Sequence, residues 1–449
     1  MSPPDSKAAI YRRLARLRRE PETVAGKPER QPAPALPTWF RERKQLKSHE
    51  LGATTPEEPN LAAKAPGEPR DLETFSNARG QSHARILRFP LDWKHGSWPL
   101  NWIGDREHDL ATLGRDATLE RLELSRSIYL DIETTGLSGG AGTIPFMVGL
   151  GTFREDHFEL WQGFLRGPED EAALLEEVAQ RVAERDSLVS FFGKSFDRHR
   201  LEDKMRVHAV VPSFERPHLD LFHPLKRLYR GAYSDTRLAT LERALCKVQR
   251  IDDLPGSHAP AAWFDYLAGR AHRLEAVFEH NRDDVLSLVT LAAHLCCTSA
   301  EKRPDGAALE GVACARARGL AHLHAALRDF EQALVWTSRA LERRPDDVHD
   351  LKLLRADLLR LSGKHEQALA VYEEVRGEAP ETESVNALLQ IAKLCEHRLR
   401  DYARAKDAAQ LAASLAEDYL TGTARRRALN ESQRRIERLA MKLARPKKN

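Results

Sequence analysis

The segment Ser127-Ile-Tyr-Leu-Asp131-Ile-Glu133-Thr-Thr-Gly136-Leu137 constrains the fold more than any other, because it sets two acids into an apolar run. Ile128, Tyr129, Leu130 and Ile132 are β-branched, aromatic or aliphatic, and the glycines from Gly136 onward end the run in a turn, so the pattern predicts a strand. Residues two apart on a strand share a face, which sends Asp131 and Glu133 out together from an otherwise buried backbone. Two like charges about 4 Å apart repel by roughly 4 kcal/mol at an effective dielectric of about 20. A divalent cation is the simplest group that would offset this.

A chain of 449 residues exceeds one ordinary domain and predicts two or three units with ample core. Charged residues make up 31% and hydrophobic residues 41%, and no apolar run approaches the roughly 18 residues of a membrane span, so no membrane partner is expected. The start of the chain lacks the apolar stretch of a secretory signal, and Cys246, Cys296, Cys297, Cys314 and Cys395 have no zinc spacing. Reduced thiols in a cytoplasmic protein are the expectation. The net charge of +3 is uneven: residues 1–48 carry 12 Lys/Arg against 5 Asp/Glu, residues 425–449 carry 10 against 2, and the middle is near −12. Basic ends around an acidic centre fit a carboxylate site whose periphery meets a polyanion, or simply solvated tails.

In chain order, prolines and sparse apolar residues predict a disordered, basic region over 1–83, with residues 8–17 patterned as a short amphipathic helix. Globular composition begins at about 84, where Arg85-Ile-Leu-Arg-Phe-Pro-Leu91 and Trp93, Trp98 and Trp102 read as a lead-in segment. His95-Gly96 within it suggests no chemistry. Residues 146–153 and 157–165 continue an antiparallel meander, 169–185 has helical spacing, and 188–192 is a short buried strand. The order β-β-β-α-β-α predicts a mixed sheet with helices on its faces. Asp197 falls in the first turn of the next helix, where the helix dipole alone favours an acid. Residues 272–297 read as a long helix whose apolar side, with Val277, Leu288, Leu291 and Leu295, also carries Asp284; His280 lies one turn earlier on that side.

Asp-x-Glu on a first strand, an Asp opening a helix after the next buried strand and an Asp on a late helix resemble the motifs of the DEDD exonucleases, whose fold is RNase H-like. More narrowly, Leu130-Asp-Ile-Glu-Thr-Thr-Gly-Leu-Ser-Gly-Gly-Ala-Gly142 and Glu279-His-Asn-Arg-Asp-Asp-Val-Leu-Ser-Leu288 resemble YprB-type proteins, which join such a domain to TPR repeats. The resemblance covers about residues 84–420. It implies an α/β RNase H-like domain over 84–300, with a mixed five-stranded sheet flanked by helices. It also implies catalytic roles for Asp131, Glu133, Asp197, Asp284 and His280, the four acids holding two divalent cations, Mg²⁺ or Mn²⁺, and His280 acting as the base. The superfamily's histidine branch usually places four residues between His and Asp, whereas three separate His280 from Asp284, the spacing of the tyrosine branch. Asp283 competes with Asp284, which is preferred for its place on the apolar side of the helix.

These residue types suit the chemistry. In-line attack of water on a phosphodiester builds charge on the attacking and leaving oxygens, and two cations about 4 Å apart stabilise both. Thr134 and Thr135 either contact a terminal nucleotide or hydrogen-bond the turn. Lys194 and Arg198, with Arg200, Lys226, Arg227 and Arg230, either line a groove that tracks a phosphate backbone or sit on helix surfaces. Gly139-Gly-Ala-Gly142 is a weak phosphate-binding signal without a helix behind it. His199 and His223 read as surface or packing residues, and Asp220 as an auxiliary acid.

After Cys297 the pattern changes. Phe330-Glu-Gln-Ala333 recurs as His365-Glu-Gln-Ala368, Pro345 recurs as Pro380, and Tyr402-Ala-Arg-Ala405 occupies the place of a third unit. This spacing predicts an all-α TPR solenoid over 301–424, closed by a basic C-terminal helix and tail over 425–449, and a protein partner for it. The expected function is a metal-dependent nuclease, a 3′–5′ exonuclease on single-stranded DNA or RNA ends. The alternative is a TPR adaptor whose RNase H-like domain binds nucleic acid without cutting it.

Overall fold

The structure, a computed structural model, describes residues 69–103, 109–136, 143–251, 253–270, 273–343 and 348–444. The expected N-terminal helix over 8–17, the glycine-rich stretch 139–142, Pro345 and residues 445–449 lie outside the described residues.

Seven strands form one mixed sheet: β1 (Leu72–Asn77), β2 (Gly80–Pro90), β5 (Ser127–Thr134), β6 (Pro145–Phe153), β7 (His157–Phe164), β8 (Ser187–Ser190) and β9 (His218–Asp220), in the order β1-β2-β7-β6-β5-β8-β9. β5, β6 and β7 are the antiparallel meander read from the sequence, and β8 and β9 extend the sheet in parallel from β5. A separate hairpin pairs β3 (Lys94–His95) with β4 (Trp98–Pro99).

The sheet therefore has seven strands where five were expected. The extra pair, β1 and β2, comes from residues assigned to the disordered region and the lead-in segment. β2 is antiparallel to β7 from His83 to Pro90, covering an edge that would otherwise expose unpaired backbone groups. Its polarity hid it. Arg85 is buried in mid-strand, forks onto both Glu275 oxygens at 2.8 Å and lies 4.1 Å from the centre of the Phe278 ring. A buried arginine with a bidentate carboxylate partner fills a core position that a hydropathy pattern assigns to solvent.

The sheet carries apolar cores on both faces: Ile128 and Leu130 join one cluster, and the alternating Tyr129 joins the other. Asp131 and Glu133 continue the Tyr129 row. Helices α1 (Glu171–Ala183), α2 (Asp197–Val207), α3 (Phe222–Leu228) and α4 (Ala259–Leu267) surround the sheet, and α5 (Leu274–Cys296) crosses β5, β6 and β7. From Val285 to Leu295 every residue of α5 is buried, which is why the one-sided apolar stripe expected of a surface helix is absent there.

The remainder is helical: α6 (Ala313–Ala326), α7 (Phe330–Glu342), α8 (Val348–Leu361), α9 (His365–Glu378), α10 (Glu381–Leu394), α11 (Tyr402–Tyr419) and α12 (Gly422–Leu443), each packed on the next. The repeated tetrapeptides open α7, α9 and α11 and bury Ala333, Ala368 and Ala405 at the same position. α6 packs on α3, and Gly319 is required at the crossing, since a Cβ there would overlap the Leu228 backbone. Part of the basic C-terminal end faces inward. Arg435, Arg438 and Lys442 of α12 donate to the fully buried Glu396 carboxylate at 2.6, 2.7 and 2.9 Å.

Candidate active site

The site grows from one row across the meander, in which Asp131 of β5 pairs with Gly149 of β6 and Gly149 pairs with Gln162 of β7. Asn281 of α5 lies over this row. Its amide donates to Asp131 Oδ2 at 2.9 Å and accepts from Gln162 Nε2 at 3.0 Å. Glycine is the residue that fits at 149, because a Cβ would run into the Asn281 carboxamide.

On either side of Asn281, α5 presents His280 and Asp284. His280 Nε2 stands 3.5 Å from Asp284 Oδ2 and 3.8 Å from Glu133 Oε1, and the three side chains form a compact donor set able to hold a metal ion. Glutamate, aspartate and imidazole donors suit Mg²⁺, Mn²⁺ or a similar cation. Asp283 is not part of that set and pairs with Arg282 at 2.8 Å. Asp197 opens α2, and a Cβ on Gly193 would come 3.1 Å from its Oδ2, so the β8–α2 turn is held close against this acid.

The electrostatics link all four acids. Burial raises the Asp131 pKa well above the usual carboxylate range, and Asp284, Glu133 and Asp197 raise it further against the Asn281 hydrogen bond. Burial does the same to Asp197, reinforced by Asp220, Glu133 and Asp284. Burial alone would lower the His280 pKa, but Asp284, Glu133 and the hydrogen bond to Asp253 outweigh it and the net direction is upward. The pocket is one of excess negative charge, and a bound cation would offset it.

Several side chains that complete the site are invisible to sequence spacing. Asp253 Oδ1 accepts from His280 Nδ1 at 2.6 Å, which leaves Nε2 facing Glu133 and Asp284. Arg250 donates to Asp284 Oδ1 at 2.5 Å. Both come from the loop before α4, where no periodicity marks them; the only signal is charged residues in a proline- and glycine-bearing stretch. Asp220 takes a structural role: its oxygens accept from the backbone N–H groups of Phe192, Lys194 and Phe222 at 2.7, 3.2 and 3.1 Å, fixing the turn that leads to Asp197. Phe192 sits there at φ 65°, a left-handed conformation unusual for a bulky residue.

Most of the remaining candidates are engaged within the protein. Thr134 Oγ1 donates to Gly136 O at 2.9 Å, and Thr135 Oγ1 accepts from Ile144 N at 3.0 Å, so both brace the turn after β5. Lys194 pairs with Asp116 at 3.1 Å, and Arg198 pairs with Glu202 at 2.5 Å and Glu215 at 3.1 Å. Arg200 lies 3.8 Å from Asp203, Lys226 caps the Phe222 ring and Arg227 donates to Leu113 O. His199 and His223 lie 3.7 and 3.9 Å from Glu202 and Asp220.

Residues 128–296 match the RNase_H superfamily. The matched span opens on β5 and closes with α5, so it contains all four acids and His280. The seven-stranded mixed sheet with its helices fits an RNase H-like fold. The chain is also 27% identical to Uncharacterized protein YprB of Bacillus subtilis (strain 168) over 340 residues, 73% of this chain and 79% of that protein. A domain of this kind supports nuclease-type chemistry and nucleic-acid binding in general terms. Among the described residues, no helix is long and apolar enough to cross a membrane.

Proposed function

We propose that the protein is a metal-dependent nuclease, acting as a 3′–5′ exonuclease on single-stranded ends of DNA or RNA. The observation that carries this reading is the grouping of Glu133 and Asp284 around His280, with Asp131 and Asp197 buried near enough that Glu133 and Asp284 raise the pKa of both. Buried like charges cost stability, and a cluster of this kind is retained where a cation or a reaction uses it. The four acids would hold two divalent cations, Mg²⁺ or Mn²⁺, which supply charge neutralisation at the attacking and leaving oxygens. His280 Nε2 accepts the proton of the attacking water, and Asp253 keeps the ring in the orientation that presents Nε2 to the acids. Asn281 holds Asp131 at the bottom of the site.

The helices from 313 onward are proposed to be a TPR array that binds a protein partner, and the protein to be cytoplasmic. One observation favours the second reading, a nucleic-acid adaptor that does not cut: Arg250 already supplies Asp284 with a cation. That ion pair leaves Asp131 and Asp197 without a cationic partner of their own among their described contacts, so the nuclease reading is preferred. The test is incubation of the full chain with end-labelled single-stranded DNA and RNA in Mg²⁺ or Mn²⁺. Stepwise shortening from the 3′ end by the wild type and none by Asp131→Ala is expected; equal inertness of the two on every substrate overturns the reading.

A further inference from the structure

His95-Gly96, which suggested no chemistry in the sequence, marks one end of a buried polar chain that ends at the acidic cluster. His95 Nε2 lies 2.8 Å from Ser287 Oγ, and Ser287 donates its only hydroxyl proton to Glu242 Oε2, so His95 must be the donor in the first bond. Burial holds this histidine neutral, with a pKa of about 4. Glu242, 1% exposed, grips the Arg250 guanidinium by both oxygens at 2.6 and 2.7 Å. Arg250 reaches on to Asp284 Oδ1 at 2.5 Å and lies 3.3 Å from His280 Nδ1. The hairpin that carries His95 is pinned to the same segment: Ser97 N donates to Cys246 O at 2.8 Å, and Gly96, at φ 66°, has no room for a Cβ against Cys246 O.

We propose that Arg250, anchored by Glu242 and through it by Ser287 and His95, is the positioning residue of the acidic cluster, fixing Asp284 by one oxygen so that the other faces Glu133 and His280. The geometry separates this role from that of a simple counter-ion. Glu242 shares the charge of Arg250, so what Arg250 delivers to Asp284 is a directed, charge-assisted hydrogen bond rather than a whole counter-charge. Oδ1 is occupied by that bond, which leaves Oδ2 as the oxygen turned toward the donor set. A lysine cannot reproduce it, since one ammonium does not span two carboxylates with the planar fork of a guanidinium.

The two roles predict opposite signs. Removing a mere counter-ion leaves the pocket more negative and strengthens cation binding; removing a clamp disorders Asp284 and weakens it. Calorimetric titration of the full chain with Mn²⁺ therefore compares wild type, Arg250→Met and Arg250→Lys. Both variants are expected to bind Mn²⁺ about 10- to 100-fold more weakly, as loss of a ligand's supporting partner commonly does. Unchanged or tighter binding by Arg250→Met overturns the proposal. Should that variant not fold, Arg250→Lys, which keeps the charge and the stem, gives the same reading.

The metal arm rests on the nuclease reading, and a second arm does not. In metal-free protein, melting temperatures of Arg250→Met, Asp284→Ala and the double variant form a cycle. The fall caused by Arg250→Met is expected to be smaller in the Asp284→Ala background, and equal falls in the two backgrounds overturn the clamp. If the wild type binds no Mn²⁺, the metallonuclease reading fails and the cycle alone decides whether Arg250 holds Asp284.

Discussion

Asn281 meets Asp131 with its amide nitrogen because Gln162 occupies its carbonyl: Gln162 Nε2 donates to Asn281 Oδ1 at 3.0 Å and Asn281 Nδ2 donates to Asp131 Oδ2 at 2.9 Å. Three strands and a helix thus agree on the orientation of one carboxylate. Gly149, between Asp131 and Gln162 in the register, makes the space.

Asn281→Asp replaces a donor by an acceptor of the same shape at a fully buried position. Repulsion from the new carboxylate is expected to lower the melting temperature, and loss of the hydrogen bond that orients Asp131 is expected to outweigh the added charge and weaken Mn²⁺ binding about 10- to 100-fold. Gly149→Ala tests the same contact from below. An alanine in a strand ordinarily gains about 0.5–1 kcal/mol over glycine, but here its Cβ displaces Asn281, and a fall in both stability and Mn²⁺ affinity is expected. A gain in melting temperature with unchanged Mn²⁺ binding would show that Asn281 does not depend on the glycine.

Burial and acidic neighbours raise the Asp131 and Asp197 pKa values well above the usual carboxylate range, so the fold disfavours the ionised form of each. A carboxylate whose folded pKa lies above its unfolded value loses stability as pH rises through that interval. Asp131→Asn and Asp197→Asn are therefore expected to melt higher than the wild type at pH 7.5 in a chelator, while losing the upward shift that Mn²⁺ gives the wild type. Stabilisation without function is the signature of a site that stores repulsion. Both variants melting lower than wild type in the metal-free state would contradict the repulsion.

How much of this was legible beforehand divides along physical lines. β5, the meander and the register of Asp131 with Glu133 were readable because a period of two is written into Ile128, Leu130 and Ile132. Asp284 stood out from Asp283 because it interrupts an apolar helix side, and the structure groups it with Glu133 and His280. β1 and β2 were not readable, since Arg85 fills a core position with a charge whose partner lies 190 residues away. Arg250, Asp253 and Glu242 were missed for a related reason. They come from loops and short turns, and what assigns them is contact with α5 rather than any local spacing.

The basic C-terminal end illustrates the same limit and yields the last prediction. Ten Lys/Arg over 425–449 fitted either a surface for a polyanion or a solvated tail, yet Arg435, Arg438 and Lys442 converge on one buried acid. Hydrogen bonding from Arg438 and then Lys442 pulls the Glu396 pKa down to about 2 against its burial. Because the folded value lies below the ordinary 4.5, this contribution is fully present above that pH and is lost as pH falls toward 2. The docking of α12 on the α10–α11 pair is therefore expected to weaken between those values, read as a fall in the melting temperature of the helical part. Glu396→Gln removes the acid-side slope and, by leaving the buried Arg435 with only Glu431 at 3.6 Å as a counter-charge, costs roughly 3 kcal/mol at pH 7. If the variant keeps the wild-type acid slope, another carboxylate governs that transition.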